Sequence, residues 1–187
     1  MNTARLLGNS SNVIDWNRII QDLLSQSAPT IGPVSGIGYK EDYVPEHIAK
    51  PDEFIKTKEL WKQSGYTSSL DGGTAEWHMY YPGLNFDQSV VDTFINFFNI
   101  EAFNECWISM ILPGKCAPWH VDQYIVSSNS SRYHCHVGYP EMGHIFMIDN
   151  EYYVNAPQGT AYQWNNMYSW HAGVNAGKTP KFLFNMC

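Results

Sequence analysis

The second half of the chain is cut into short runs that suit strands and little else. CWISMIL, RYHCHVGY, HIFMID, EYYVN, AYQWNN and KFLFNM follow one another between residues 106 and 186. Each is rich in β-branched and aromatic residues and is separated from the next by turn residues. IDNEYYV reads as a hairpin about Asp149 and Asn150. Six or more short strands in about eighty residues predict a barrel or a two-sheet sandwich.

The first half carries helical periodicity instead. In NVIDWNRIIQDLLSQ, Trp16, Ile19, Ile20, Leu23 and Leu24 line one face of a helix, with Ser10, Ser11 or Asn12 as its N-cap. A second helix fits DQSVVDTFINFFN, with Val90, Val91, Phe94, Phe97 and Phe98 as the apolar face and Asp87 as the cap. From Pro29 to Gly83 the composition predicts loops and short elements, with one helical signal in PDEFIKTKELWKQ. A chain of 187 residues, 44% hydrophobic, suffices for one core. The expectation is a single domain over 1–187. Residues 1–104 supply helices, loops and the substrate side, and 105–187 form the β core.

Composition limits the function classes. A net charge of −7 disfavours a broad phosphate-binding face, so no nucleic-acid partner is expected. No apolar run suits a transmembrane helix. MNTARLLGNSSNV lacks the apolar centre of a secretory signal, so the expected location is cytoplasmic, without membrane contact. Cys106, Cys116, Cys135 and Cys187 form no CxxC pair and read as reduced, structural thiols.

The polar residues beside the strands carry the chemistry. His120 and Asp122 follow the run that ends near residue 112, and His171 sits in NNMYSWHAGVN between two further runs. Two histidines and one carboxylate can form a facial triad, which binds iron(II) on one face and leaves the other positions open. The competing reading is a capped loop at Asp122 and a hydrogen-bonded, half-buried His171.

In order along the chain, Ser109, Pro113, Gly114 and His120 are followed by Arg132 and His134, then by Gly159, Trp164 and His171, and ten residues later by Lys181. This series resembles the iron(II)- and 2-oxoglutarate-dependent oxygenases, with its nearest likeness to the aspartyl/asparaginyl β-hydroxylase-like branch. The likeness covers about residues 105–187. It implies a double-stranded β-helix, the cupin-like jelly roll, with His120, Asp122 and His171 as the iron ligands. It also implies Fe(II), 2-oxoglutarate and molecular oxygen, and hydroxylation of a C–H bond in an amino acid, a protein side chain or a small metabolite. Lys181 and Ser109 would hold the distal carboxylate of 2-oxoglutarate, and His134 would donate to the carboxylate next to the metal. Arg132 either meets the co-substrate or hydrogen-bonds at a strand end.

Two departures stand out. The family usually has Arg where Lys181 stands, so the forked guanidinium is missing. Lys178 is a competing candidate for the same role. Some aspartyl hydroxylases lack the metal carboxylate that Asp122 would supply here.

Period-2 alternation puts His134 and His136 on one face, so His136 can also line the cavity, and it argues against HCH as three ligands to one ion. His144 reads as a strand-end surface residue. His78, in AEWHMYYPG, belongs either to a pocket wall or to a core or surface strand. The Ser109, His134 and Lys181 set separates the oxygenase from two other readings, a cupin-like metal isomerase or lyase and a non-catalytic ligand-binding jelly roll.

Overall fold

The computed structural model describes residues 4–26, 30–31, 77–103, 105–120, 131–164 and 169–187. The helical signal expected in PDEFIKTKELWKQ lies outside them. The described strands are β1 (Arg5–Asn9), β2 (Thr30–Ile31), β3 (Trp77–Tyr80), β4 (Cys106–Ile111), β5 (Cys116–His120) and β6 (Arg132–His136). They continue with β7 (His144–Ile148), β8 (Glu151–Val154), β9 (Thr160–Trp164), β10 (His171–Asn175) and β11 (Lys181–Met186). Two helices are described, α1 (Trp16–Leu24) and α2 (Gln88–Phe98).

The strands form two antiparallel sheets. The larger has the order β1-β9-β6-β11-β4-β3-β2 and the smaller β5-β10-β7-β8. From β4 onward the chain passes back and forth between them. β4, β6, β9 and β11 enter the larger sheet, while β5, β7, β8 and β10 enter the smaller. Eight strands shared in this way make a double-stranded β-helix, the jelly roll. β1 extends the larger sheet beyond β9, and β3 and β2 extend it beyond β4.

The helices cover the outer face of the larger sheet. Ile108, Met110, Tyr133, Cys135, Ala161, Phe182, Phe184 and Met186 point outward and pack with Trp16, Ile20, Leu23, Val91 and Phe94. Phe184 lies 4.7 Å from Phe94 and 5.7 Å from Trp16, centroid to centroid. Burying each large side chain here contributes about 1.5–3 kcal/mol. Because helices cover one face and the second sheet the other, β6 is buried along its whole length.

Asp87 caps α2, its carboxylate accepting from Ser89 N at 2.8 Å, and Asn99 ends that helix with φ 51°. The α1 cap expected at Ser10, Ser11 or Asn12 is instead Asp15, which accepts from Arg18 N at 3.1 Å. A turn occupies residues 11–14, so the helix cannot begin before it. Ser10 is buried beneath that turn, where its hydroxyl accepts from the Trp16 indole at 3.0 Å and donates to Gly159 O at 3.2 Å.

Gly159 ties this N-terminal segment to the barrel. Its φ is +83°, and a Cβ there would meet Ser11 N at 2.6 Å and the Ser11 hydroxyl closer still. The left-handed backbone and the clash together should make Gly159→Ala cost roughly 2–4 kcal/mol. Urea unfolding checks this, with a lower midpoint and an unchanged m value expected.

Candidate functional site

The cavity residues come from period-2 alternation on strands whose outward neighbours are fixed by the helices. On β6, Arg132, His134 and His136 face inward, opposite Trp164, Tyr162 and Thr160 of β9. On β11, Asn185 faces His134 and Leu183 faces His136, with Lys181 one alternation further on. The smaller sheet supplies Phe146, stacked on the His134 ring at 3.7 Å and 10°. It also supplies His171, whose ring lies 5.7 Å from Trp164 and 6.4 Å from Phe146.

His171 opens β10 and is buried. Its Nδ1 lies 3.2 Å from the Ser169 carbonyl oxygen. A carbonyl only accepts, so Nδ1 carries the proton and Nε2 of the neutral ring keeps its lone pair. That is the tautomer of an Nε2 metal ligand. On the neighbouring strand, position 120 is the direct antiparallel partner of position 171. Opposed positions of an antiparallel pair stand on one face of a sheet. His120 is described at its backbone alone, and Asp122 lies outside the described residues.

His134 is fully buried, and its Nδ1 lies 3.1 Å from Asn185 Oδ1. The Asn185 amide nitrogen donates to Ser109 Oγ at 2.9 Å and to Leu183 O at 3.2 Å. The Leu183 carbonyl fixes which end of the amide is nitrogen, so Oδ1 faces His134 and accepts from it. Burial, reinforced by the charges of His136 and Lys181, pulls the His134 pKa well below its usual value. The neutral ring therefore presents an Nε2 lone pair, with no hydrogen-bond partner among the described residues. The donor role expected for His134 requires a second proton on that nitrogen.

Lys181 is 1% exposed and reaches across the barrel to the smaller sheet. Its Nζ donates to Ile145 O at 2.5 Å and stands 6.0 Å from the Phe146 ring centroid. It makes no ion pair among the described residues, and burial lowers its pKa to about 7. The amine lies level with Gly173, where an added Cβ would stand 3.5 Å from Nζ and 3.0 Å from Ile111. Gly173 is two residues from His171, or about 7 Å along a strand. The competing Lys178 is exposed, and its backbone N–H donates to Glu141 at 2.8 Å.

Ser109 is buried, but its hydroxyl is engaged by Asn185 and by Leu183 O at 3.5 Å. Ser109 pairs with Leu183, so it is a diagonal neighbour of both Asn185 and Lys181 on the inner face. Asn185 is the site residue that sequence reasoning missed. A polar residue alternating with Lys181 and Leu183 on one face was the available signal. Arg132 is buried on the inner face.

His136 is buried, with Nε2 lacking a hydrogen-bond partner among the described residues. Burial and then the Lys181 charge lower its pKa to about 3. His144 is buried at the start of β7, not on the surface as expected, because its Nε2–H donates to Thr179 O at 3.0 Å. His78 lies in β3, opposite Met110, in the extension of the larger sheet. All four cysteines are free and buried.

The interior therefore has an imidazole with an Nε2 lone pair at one level and a buried amine at another. Among the described residues no three His, Cys, Asp or Glu side chains form a metal-holding group, so of the expected ligands only the His171 imidazole is described, while the buried Lys181 amine suits a carboxylate. Among the described residues no helix is long and apolar enough to cross a membrane.

No protein-family model matches the chain, and no curated protein matches it by sequence. Among solved structures it is similar to an oxidoreductase of the 2OG-Fe(II) oxygenase family from Burkholderia pseudomallei. That likeness has 16% identity and a TM-score of 0.44 and covers 62% of this chain and 69% of the other. A prolyl-4-hydroxylase from Pseudomonas putida is similar at 11% identity and a TM-score of 0.46, covering 92% and 98% of the two chains. A predicted oxalate decarboxylase from Thermotoga maritima is similar at 12% identity and a TM-score of 0.36, covering 60% and 79%. These likenesses are distant, and the fold rests on the strand order given above.

Proposed function

We propose that this chain is an Fe(II)- and 2-oxoglutarate-dependent oxygenase that hydroxylates a C–H bond of a small-molecule or protein substrate, in the manner of the aspartyl/asparaginyl hydroxylase-like branch. The observation that carries the reading is the buried Lys181 amine, which makes no ion pair among the described residues and stands two strand residues from the level of His171. Leaving an ammonium in such a place without an anion is costly. A dicarboxylate whose other end chelates a metal removes that cost.

His120, Asp122 and His171 would hold the iron. With oxygen, the bound iron supplies the C–H oxidation, coupled to conversion of 2-oxoglutarate into succinate and carbon dioxide. The chain's own residues do the rest. The Ser169 carbonyl keeps the proton of His171 on Nδ1. Asn185 holds the tautomer of His134, and Phe146 fixes its plane. Phe146, Ile148 and Trp164 form an apolar cluster against the site that excludes water. Residues 1–104 would shape the substrate side.

The deciding experiment loads the protein with Fe(II) and measures succinate formed from 2-oxoglutarate under air. Iron-dependent succinate is expected even without the prime substrate, at a low rate. Failure to bind or turn over 2-oxoglutarate in iron-loaded protein would remove the oxygenase reading and leave a metal isomerase or lyase on the same scaffold. Asp122→Ala should weaken iron binding by more than the roughly 10–100-fold typical of an outer-shell partner. Asp122→Gly should retain part of the activity, with water filling the vacated position. Full activity of Asp122→Ala at low iron would show that Asp122 is not a ligand.

A further inference from the structure

Lys181 does not stand alone at its end of the barrel. His136 and Lys181 line one pocket, together with His144, Tyr139 and Pro140. His136 pairs across the ladder with Leu183, two residues from Lys181, so the two side chains are diagonal neighbours on the inner face. The His136 ring is 6% exposed, and its Nε2 has no hydrogen-bond partner among the described residues. A buried polar atom without a partner costs free energy that a ligand can recover. Ser109, which pairs with Leu183 from the other side, accepts from Asn185 and directs its hydroxyl proton to Leu183 O at 3.5 Å.

We infer that His136 and Lys181 together form a two-point clamp for the distal carboxylate of the co-substrate, with His136 supplying the second N–H donor that a guanidinium would otherwise provide. The inference rests on the oxygenase reading and adds a residue to it. A lysine ammonium is a point charge and does not orient a planar carboxylate. One of its three N–H groups already serves Ile145 O, which leaves two for the ligand. An imidazole N–H beside it gives the second carboxylate oxygen a partner and fixes the plane of the group. His144 is excluded from this role, since its Nε2–H is committed to Thr179 O.

The test compares 2-oxoglutarate with 2-oxopentanoate, which has the same carbon chain without the distal carboxylate. Binding of each to the Mn(II)-loaded protein is measured by calorimetry, so no turnover is required. Wild-type protein should prefer 2-oxoglutarate. His136→Leu should weaken 2-oxoglutarate by about 10- to 100-fold, the worth of one hydrogen bond to a charged group, and leave 2-oxopentanoate unchanged. His136→Gln, which keeps a donor, should recover part of the loss and guards against a folding defect in the leucine variant. Ser109→Ala should change the preference by less than about threefold, since the Ser109 hydroxyl proton is directed at Leu183 O. Equal weakening of both keto acids by His136→Leu and His136→Gln, or no weakening of either, overturns the clamp while leaving the oxygenase reading intact. A wild-type protein that binds neither keto acid overturns both.

Discussion

Replacing His171 with alanine is expected to abolish iron binding and leave the barrel folded. The imidazole is held in one tautomer. Its Nδ1–H is committed to Ser169 O, so the Nε2 lone pair is directed elsewhere. Neutral His171 could have used either tautomer, and the chain fixes the one that a ligand needs. Position 120, its direct ladder partner, carries the other histidine of the proposed triad. Removing one of the three proposed ligands should lower iron affinity by several orders of magnitude. Truncating a buried polar side chain should cost the apo protein only about 1–3 kcal/mol. Two measurements separate these effects. Metal analysis after gel filtration should find iron in wild-type protein and none in His171→Ala. Thermal unfolding should show a metal-induced rise only in the wild type, since ligand at a hundred times its Kd stabilises by about 2.7 kcal/mol. A variant that retains wild-type iron content but unfolds much earlier would make His171 a structural histidine.

The sequence revealed the barrel unevenly, and the reason is local composition. RYHCHVGY, HIFMID and KFLFNM are dense in β-branched and aromatic residues, and each became a strand close to its expected place. β5 and β10 were not legible. CAPWH contains a proline and HAGVN is built on alanine, glycine and asparagine, all weak strand formers. Sheet pairing overrides propensity there, and the two candidate metal histidines fall on these strands, not in loops beside them. β1 was also missed, because RLLGN is an exposed edge strand with a register shift between Leu6 and Gly8, so no clean alternation marks it. The face shared by His134 and His136 followed from period 2 alone. What that face meets did not follow, because contacts between sheets have no signature along the chain. The stacking of Phe146 on His134 and the bond from Lys181 to Ile145 O exist only once the two sheets are closed.

Lys181→Met should produce opposite changes in stability and in ligand affinity. In the unfolded chain the amine titrates near 10.5, and in the native barrel burial brings it to about 7. Between those values the unfolded state holds more protons, so native stability rises with pH across the window. The favourable contribution is complete above the unfolded value, is lost as pH falls toward 7, and does not change further below that. A window of about 3.5 pH units corresponds to on the order of 5 kcal/mol. Lys181→Met keeps the length of the side chain and removes the charge, so the apo variant should be more stable than wild type near pH 7. Its stability should lose the rise between pH 7 and 10. Affinity for 2-oxoglutarate should fall instead, by about 3–5 kcal/mol if the carboxylate pair is fully buried, which is roughly two to three and a half decades. Metal affinity should hold, because the Lys181 amine lies level with Gly173, two residues from His171. Lys181→Arg should bind 2-oxoglutarate better than Lys181→Met, since it restores the charge and the fork, at the cost of crowding beside Ile111 and Gly173. Urea unfolding across pH and titration of 2-oxoglutarate into the Mn(II)-loaded variants measure the two effects separately. A variant with unchanged affinity would break the assignment of Lys181, and a matching loss in Lys178→Met would transfer the role to that exposed lysine. A variant that loses both stability and affinity would mean that the ammonium already has its anion within the chain.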